Sequence, residues 1–316
     1  MIDCVSAGVL VADHLCTPIS HFPQPGELVL AEDLPLAIGG CAANAGIDLA
    51  RLGARVEVVG CVGQDAFGRY IAETLESAGV GVTGLRHIAE RPTSGTLIIN
   101  VAGQDRRFIH CQGANAALRV EDIDFELVRQ AKVFYLGGYL LMPALEAKGL
   151  AALFARARAA GVTTVLDVVL PGPGDHWAQL APVLRETDVF LPNSDEARII
   201  TGEQDPVRQA ERFHEAGARV AVITCGGDGT ILLGEGLRLR AGAFEMPFVG
   251  GTGAGDAFDA GYIAGLLRGE SPRRCLEWGA ALGASCVRAV GATEAVFNRA
   301  EAEAYLRDHQ LRIEEF

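Results

Sequence analysis

Residues 250–261 read GGTGAGDAFDAG, five glycines in twelve positions running into a stretch of good helix formers. Glycine is costly to order, so this many at the start of a helix need a reason. Glycines there let backbone N–H groups converge on an anion, and the helix dipole strengthens the field. Gly253, Ala254 and Gly255 stand where those N–H groups would be, and Asp256 falls in the first helical turn. The dipole alone favours an acid at that place by about 0.3–1 kcal/mol, but it gives no account of the glycines. A loop that handles phosphate does. The stretch is not the P-loop pattern G-x-x-x-x-G-K-[ST]. Nor is it a dinucleotide fingerprint, which would open the helix after the first strand. Here that strand is followed by DHLCTP.

Upstream of the loop, apolar runs such as AKVFYLGG, TTVLDVVL, DVFLPN and RVAVITCGG alternate with helical patterns. That alternation predicts a mostly parallel sheet covered by helices on both faces. CVSAGVLVA reads as a first buried strand ending near Asp13. Asp65 is placed to cap one helix and Gly79 to stop it. Two segments lack any helical stripe. One, about 15–36, is proline-rich with period-2 pieces such as ELVLAEDLPLAI, and predicts two or more short strands. The other, about 92–112, reads as a hairpin turning near Gly103. Their shared character predicts one small sheet standing off the main domain. The tail from Ala254 onward is mostly helical.

The chain has 316 residues and a formal net charge of −13. That length allows a large core without disulfide or metal support. The charge argues against nucleic acid and anionic membrane as partners, while a small anionic ligand remains open because exposed charge is screened beyond about 8 Å. Eight cysteines include no C-x-x-C, and most sit in apolar runs, so buried reduced thiols are expected. No apolar run reaches the roughly 18 residues of a membrane span, and MIDCVSAGVLVADHL lacks a basic signal-peptide start. The expectation is a cytoplasmic protein.

Three further constellations carry candidate chemistry. In AIGGCAAN, Gly39 and Gly40 permit a close backbone approach and Asn44 projects from the first helical turn. With Asp13 they would offer hydroxyl-binding groups outside the strands' carboxyl ends. In LPNSDEARIITGE, Asn193 and Glu196 have capping-box spacing, and the same two oxygens would suit hydrated Mg²⁺ facing phosphates. In AVITCGGDGTILL, a turn at Gly226–Gly229 reads as a hairpin or as a nucleotide edge with Thr224 and Gly226 near the phosphates or ribose.

These pieces occur in an order that resembles the ribokinase family, also called the PfkB carbohydrate kinases. The residues that carry the likeness are GVLVADH with Asp13, GGCAANAGIDLARLG, VGCVGQDAFG, NSDE, TCGGDG and GGTGAGDAFDAG, and it spans almost the whole chain. The resemblance implies a three-layer α/β/α core over residues 1–14, 37–91 and 113–316, and a β-sheet lid over 15–36 and 92–112. It implies transfer of the γ-phosphoryl of ATP to a hydroxyl of a sugar or sugar derivative. Asp256 matches the family's general base, and Gly253, Ala254 and Gly255 its anion hole. Asn193 and Glu196 match its magnesium and phosphate motif, with Thr224, Gly226 and Gly229 on the nucleotide side. Asp13, Gly39, Gly40 and Asn44 match sugar-contacting positions. Homodimers formed through the lid are implied as well.

Some positions depart from the family pattern. Gly250-Gly251 stands where Asp-Thr is usual, which puts potassium binding in doubt. DVVLP keeps Asp167 but not the rest of D-x-N-x-R, Cys41 replaces a frequent Lys, and LLMPAL lacks an expected Glu, which disfavours ribose. Two other readings follow. One is a nucleoside kinase on the same scaffold, with Phe22 as candidate base-stacking residue. The other is a nucleotide- or sugar-binding regulator without turnover.

Overall fold

The computed structural model describes residues 2–104, 107–172 and 174–316. In chain order its strands are β1 (Cys4–Gly8), β2 (Val11–Ile19), β3 (Leu36–Gly39), β4 (Val56–Gly63), β5 (Gly81–Ile88), β6 (Gly95–Val101), β7 (Arg107–Cys111), β8 (Val133–Gly137), β9 (Thr163–Leu166), β10 (Val189–Phe190), β11 (Val220–Thr224), β12 (Thr230–Gly234), β13 (Leu237–Ala241) and β14 (Ile313–Glu315). Ten of them form one sheet in the order β14-β13-β12-β11-β10-β9-β8-β1-β4-β5. From β11 to β5 the pairing is parallel, and β12, β13 and β14 add an antiparallel edge.

Strand side chains alternate between faces, and each face has its own core. Cys4, Tyr135 and Val222 join one cluster, with the helices Cys41–Arg51, Ala254–Leu267 and Pro272–Cys286 packed on it. Val5, Phe134, Ala221 and Ile223 join the other, under the helices Ala147–Ala159, His176–Leu184 and Pro206–Glu215. This is the three-layer α/β/α arrangement expected of continuous apolar strands alternating with helices. The caps read from sequence form: the Asp65 carboxylate accepts the Gly68 N–H at 2.8 Å, and Gly79 follows the helix end with φ 78°. No helix among the described residues is long and apolar enough to cross a membrane.

The remaining four strands make the small sheet, in the order β3-β2-β6-β7. Its β6–β7 hairpin is antiparallel and Gly103 has φ 73°, while Asp105 and Arg106, within the predicted turn, lie outside the described residues. Two expectations need correction. The first apolar run is not one strand ending near Asp13. β1 stops at Gly8, the backbone of Leu10 is held by both ends of the Asn115 amide (3.1 and 2.9 Å), and a new strand starts at Val11 in the small sheet. Asp13 thus belongs to the small sheet. In sequence the two strands merge because the break between them is itself apolar.

The period-2 pattern of 27–38 also yields only β3, four residues long. Upstream of it, backbone bonds to β2 reach Pro35 and Asp33 (3.0 and 3.2 Å). Leu28, Leu30 and Leu34 are 80%, 83% and 63% exposed. An alternating pattern marks a strand only where a neighbour supplies the ladder, and among the described residues the bonds to β2 do not continue upstream of Asp33.

Candidate active site

The helix Ala254–Leu267 starts on Gly253, which has φ 79° and provides no side-chain cap. A Cβ at Gly253 would lie 2.5 Å from the Ala292 Cβ and 2.6 Å from the Ala292 carbonyl oxygen, so the close approach of the loop 292–293 requires glycine. At Gly255 the reverse holds. An added Cβ would meet nothing within 4 Å, and its φ is ordinary. The fold itself therefore does not need glycine at that position.

Asp256, half-buried in the first turn, accepts a hydrogen bond from Asn44 Nδ2 at 2.8 Å. Asn44 is 3% exposed, and its Oδ1 is buried without a partner. It reaches Asp256 because the helix Cys41–Arg51 starts on Gly40, with φ 92°, where a Cβ would fall 2.4 Å from the Val9 carbonyl oxygen. Beside it Gly39 lies so close to Asp13 that a Cβ would fall 2.0 Å from Oδ2. The starts of two helices far apart in sequence thus meet, with β2 alongside.

Acids crowd this place. Burial pushes Asp13 up to about 6; Asp256 adds to that, while the Thr96 hydroxyl and His14 oppose it. Burial also raises Asp256, against hydrogen bonds from Asn44 and Cys41. Asp167, just past β9, accepts the Gly138 N–H at 3.1 Å and is raised well above the carboxylate range by burial, Glu196 and Asp256. Asp259, one turn on from Asp256, accepts the Tyr135 hydroxyl at 2.9 Å and is raised by burial, Asp167 and Asp256. Burial lifts Glu196 to about 7, with the Asn193 N–H opposing and Asp256 reinforcing. Among the described residues none of these five acids is in an ion pair with Lys or Arg. Such a set of oxygen donors fits a hard divalent cation, which would relieve the repulsion.

On the other side of the site, Asn193 caps the helix Ser194–Thr201. Its Oδ1 accepts the N–H groups of Asp195 and Glu196 (3.0 and 2.9 Å), and Glu196 Oε2 accepts the Asn193 N–H at 3.0 Å. The capping box is complete, and it holds both side chains at the carboxyl end of β10. Thr224 ends β11 and bridges to Asn193. Gly226 and Gly229 close the β11–β12 hairpin, with the Cys225 N–H bonded to the Gly229 carbonyl at 2.8 Å. These three belong with Asn193 and not with the group around Asp256 and Asn44. Gly250 hydrogen-bonds through its N–H to the Val287 carbonyl at 3.1 Å. Phe22 is 46% exposed and has the Arg107 guanidinium 5.6 Å from its ring centre.

Motif reading did not single out Cys41, Asp259 or Tyr135 as site residues, and took Asp167 only as a remnant of a longer motif. The i, i+3 spacing of Asp256 and Asp259 was the one available signal, since it puts both on one helix face.

The model of the pfkB family carbohydrate kinase matches residues 1–298. The chain is similar to a ribokinase of Haemophilus influenzae, 28% identical over 306 residues, covering 95% of this chain and 96% of the relative. It is 31% identical over 286 residues to an aminoimidazole riboside kinase of Salmonella typhimurium, covering 86% and 89%. Its fold is similar to that of Arabidopsis thaliana ribokinase complexed with ribose and ATP, with a TM-score of 0.84, 26% identity, and coverage of 97% and 99%. An Escherichia coli putative ribokinase II in complex with ATP and Mg²⁺ shares the fold, with a TM-score of 0.84, 22% identity, and coverage of 98% and 100%.

Proposed function

The chain belongs to the pfkB family of carbohydrate kinases, phosphotransferases that act on sugar hydroxyls, and from that premise we propose that it transfers the γ-phosphoryl group of ATP to a hydroxyl of a sugar or sugar derivative, with Asp256 as general base. The observation that carries this reading is the Asp256 carboxylate, held by Asn44 in the first turn of an uncapped helix beside a glycine with open space above it. A hydroxyl placed against Asp256 gives up its proton to that carboxylate as it attacks the phosphoryl group. The N–H groups of Gly253, Ala254 and Gly255 stabilise the charge that develops on the transferring oxygens. Burial disfavours the charged form of Asp256, so it is a stronger base than an exposed carboxylate.

Asp13, Gly39, Gly40 and Asn44 bind the acceptor's hydroxyls. Asn193, Thr224, Gly226 and Gly229 line the nucleotide side. Glu196 and Asn193 are the residues that would hold hydrated Mg²⁺, and that ion would neutralise charge on the phosphate oxygens. Gly250 keeps only a backbone carbonyl where a carboxylate would help hold potassium, so turnover does not require that ion. The small sheet, which takes in residues 11–14 and 37–39 besides the expected segments 15–36 and 92–112, acts as a lid that keeps water from the phosphoryl group. Its exposed Leu28, Leu30, Leu34 and Ile109 support a homodimer formed lid to lid in the cytoplasm. The likeness to a riboside kinase supports a second reading, a nucleoside acceptor with Phe22 against the base.

The test is Asp256→Asn. The amide keeps an oxygen for Asn44 and removes a half-buried carboxylate, so the fold survives, while kcat falls by on the order of 10²–10⁴. Near-native turnover would end the base assignment.

A further inference from the structure

Cys41 begins the helix Cys41–Arg51 and is buried within the site. Its Sγ and one carboxylate oxygen each of Asp167 and Asp256 all lie within 4.8 Å of one another. Three separate elements deliver them: a helix start, the end of β9 and a second helix start. They are not a run of surface acids. Asn44, three residues on from Cys41, contacts Asp256 through Nδ2 and leaves its buried Oδ1 with no partner. Burial and the neighbouring carboxylates Asp256 and Asp167 work against charge on the thiol, and burial, Glu196 and Asp256 against charge on Asp167, which the thiol's hydrogen bond only partly offsets. A cation bound among them would satisfy all of these groups together.

Mg²⁺ is a poor match for this trio, because it takes oxygen ligands and keeps most of its waters. A thiolate with two carboxylates suits a softer, tetrahedral ion. Ligand atoms around such an ion stand roughly 3.3–3.8 Å apart, so a trio lying within 4.8 Å needs to close by at most about 1–1.5 Å. We infer that Cys41, Asp167 and Asp256, with Asn44 Oδ1 as a fourth donor, form a binding site for a soft divalent cation of the zinc class, and that its occupation switches the enzyme off. As the Sγ–metal bond forms, the Cys41 thiol releases its proton to solvent. The Asp256 carboxylate, once it is a ligand, no longer accepts the proton of a substrate hydroxyl. Metal binding does not depend on the kinase reading; only the inhibition does.

The test uses Co²⁺ titrated into the purified full-length protein. One equivalent should give the sulfur-to-cobalt charge-transfer absorption of a thiolate ligand, and Zn²⁺ should displace it. Cys41→Ser should lose the band and Asp167→Asn should weaken it. The band should survive in Cys111→Ser and Cys225→Ser, the two cysteines that are not buried. These keep the test decisive if Cys41→Ser does not fold. In ADP release with excess Mg-ATP, Zn²⁺ should inhibit the wild type at least tenfold more potently than Cys41→Ser, each measured against its own metal-free rate. A band that persists without Cys41, cobalt bound with no sulfur band, or no binding would overturn the site. A band that follows Cys41 without inhibition by zinc would overturn the switch.

Discussion

Gly255→Ala separates what the fold requires from what the chemistry requires. Gly255 is the second residue of the helix Ala254–Leu267, has an ordinary φ, and has open space where a methyl would go. If only folding mattered, alanine would be the better residue. Helix propensity favours it by up to about 1 kcal/mol, or roughly 1–2 °C in melting temperature for a chain of this size. In the present account, however, that open space is where the phosphoryl oxygens pass. A methyl there displaces them by about 1 Å, which costs on the order of 10² in kcat. The assay is a pair of measurements on one preparation, a thermal melt and initial-rate ADP release. The predicted result is a protein at least as stable as wild type and about a hundredfold slower. An active variant would refute the placement of the phosphoryl group. A destabilised one would refute the claim that glycine is not needed there for folding.

Gly253→Ala should behave in the opposite way. A left-handed alanine costs about 1–2 kcal/mol and the overlap with Ala292 about 1–3 more, so both melting temperature and activity should fall. For pH, Asp13 and Glu196 have native values of about 6 and 7 against ordinary values of 3.8 and 4.5. Between those limits the native state binds protons that the unfolded state does not. Stability without Mg²⁺ should therefore fall as pH rises from about 4 to about 7, and Asp167 and Asp259, also raised, add to the fall in the same direction. In the same way kcat/KM for the acceptor should drop as pH falls through about 6 and Asp13 protonates. Leu30→Asp should convert a dimer to a monomer in light scattering with the melting temperature little changed, because Leu30 is 83% exposed in the single chain.

The fold was legible where local chemistry decides it. Asp65, Gly79 and Asn193 cap or stop helices because their side chains or φ allow nothing better nearby, and the apolar strands alternate with helices as a covered parallel sheet requires. It was not legible at Leu10, where a buried bond to Asn115, 105 positions away, ends one strand and starts another. Nor was it legible at Leu28 and Leu30, whose alternation lacks a neighbouring strand. Of the site, residues embedded in glycine motifs could be named from sequence because the glycines announce them. Tyr135 could not, since it lies in an ordinary apolar strand, and Cys41, Asp167 and Asp259, though they stand in or beside recognisable motifs, carried no sign in sequence of their closeness to Asp256. What gives them meaning is their convergence at the carboxyl ends of the strands, and only packing reveals it.

The proposed reaction is phosphoryl transfer from ATP to a sugar hydroxyl at Asp256. It is tested most directly by ADP release with Mg-ATP against a panel of sugars, sugar acids and nucleosides. Asp256→Ala serves as the blank, and potassium is present or absent. One acceptor should stand well above the blank, at a rate indifferent to potassium. A panel silent throughout, from a protein that still binds ATP, would contradict it and favour a nucleotide-binding role without turnover.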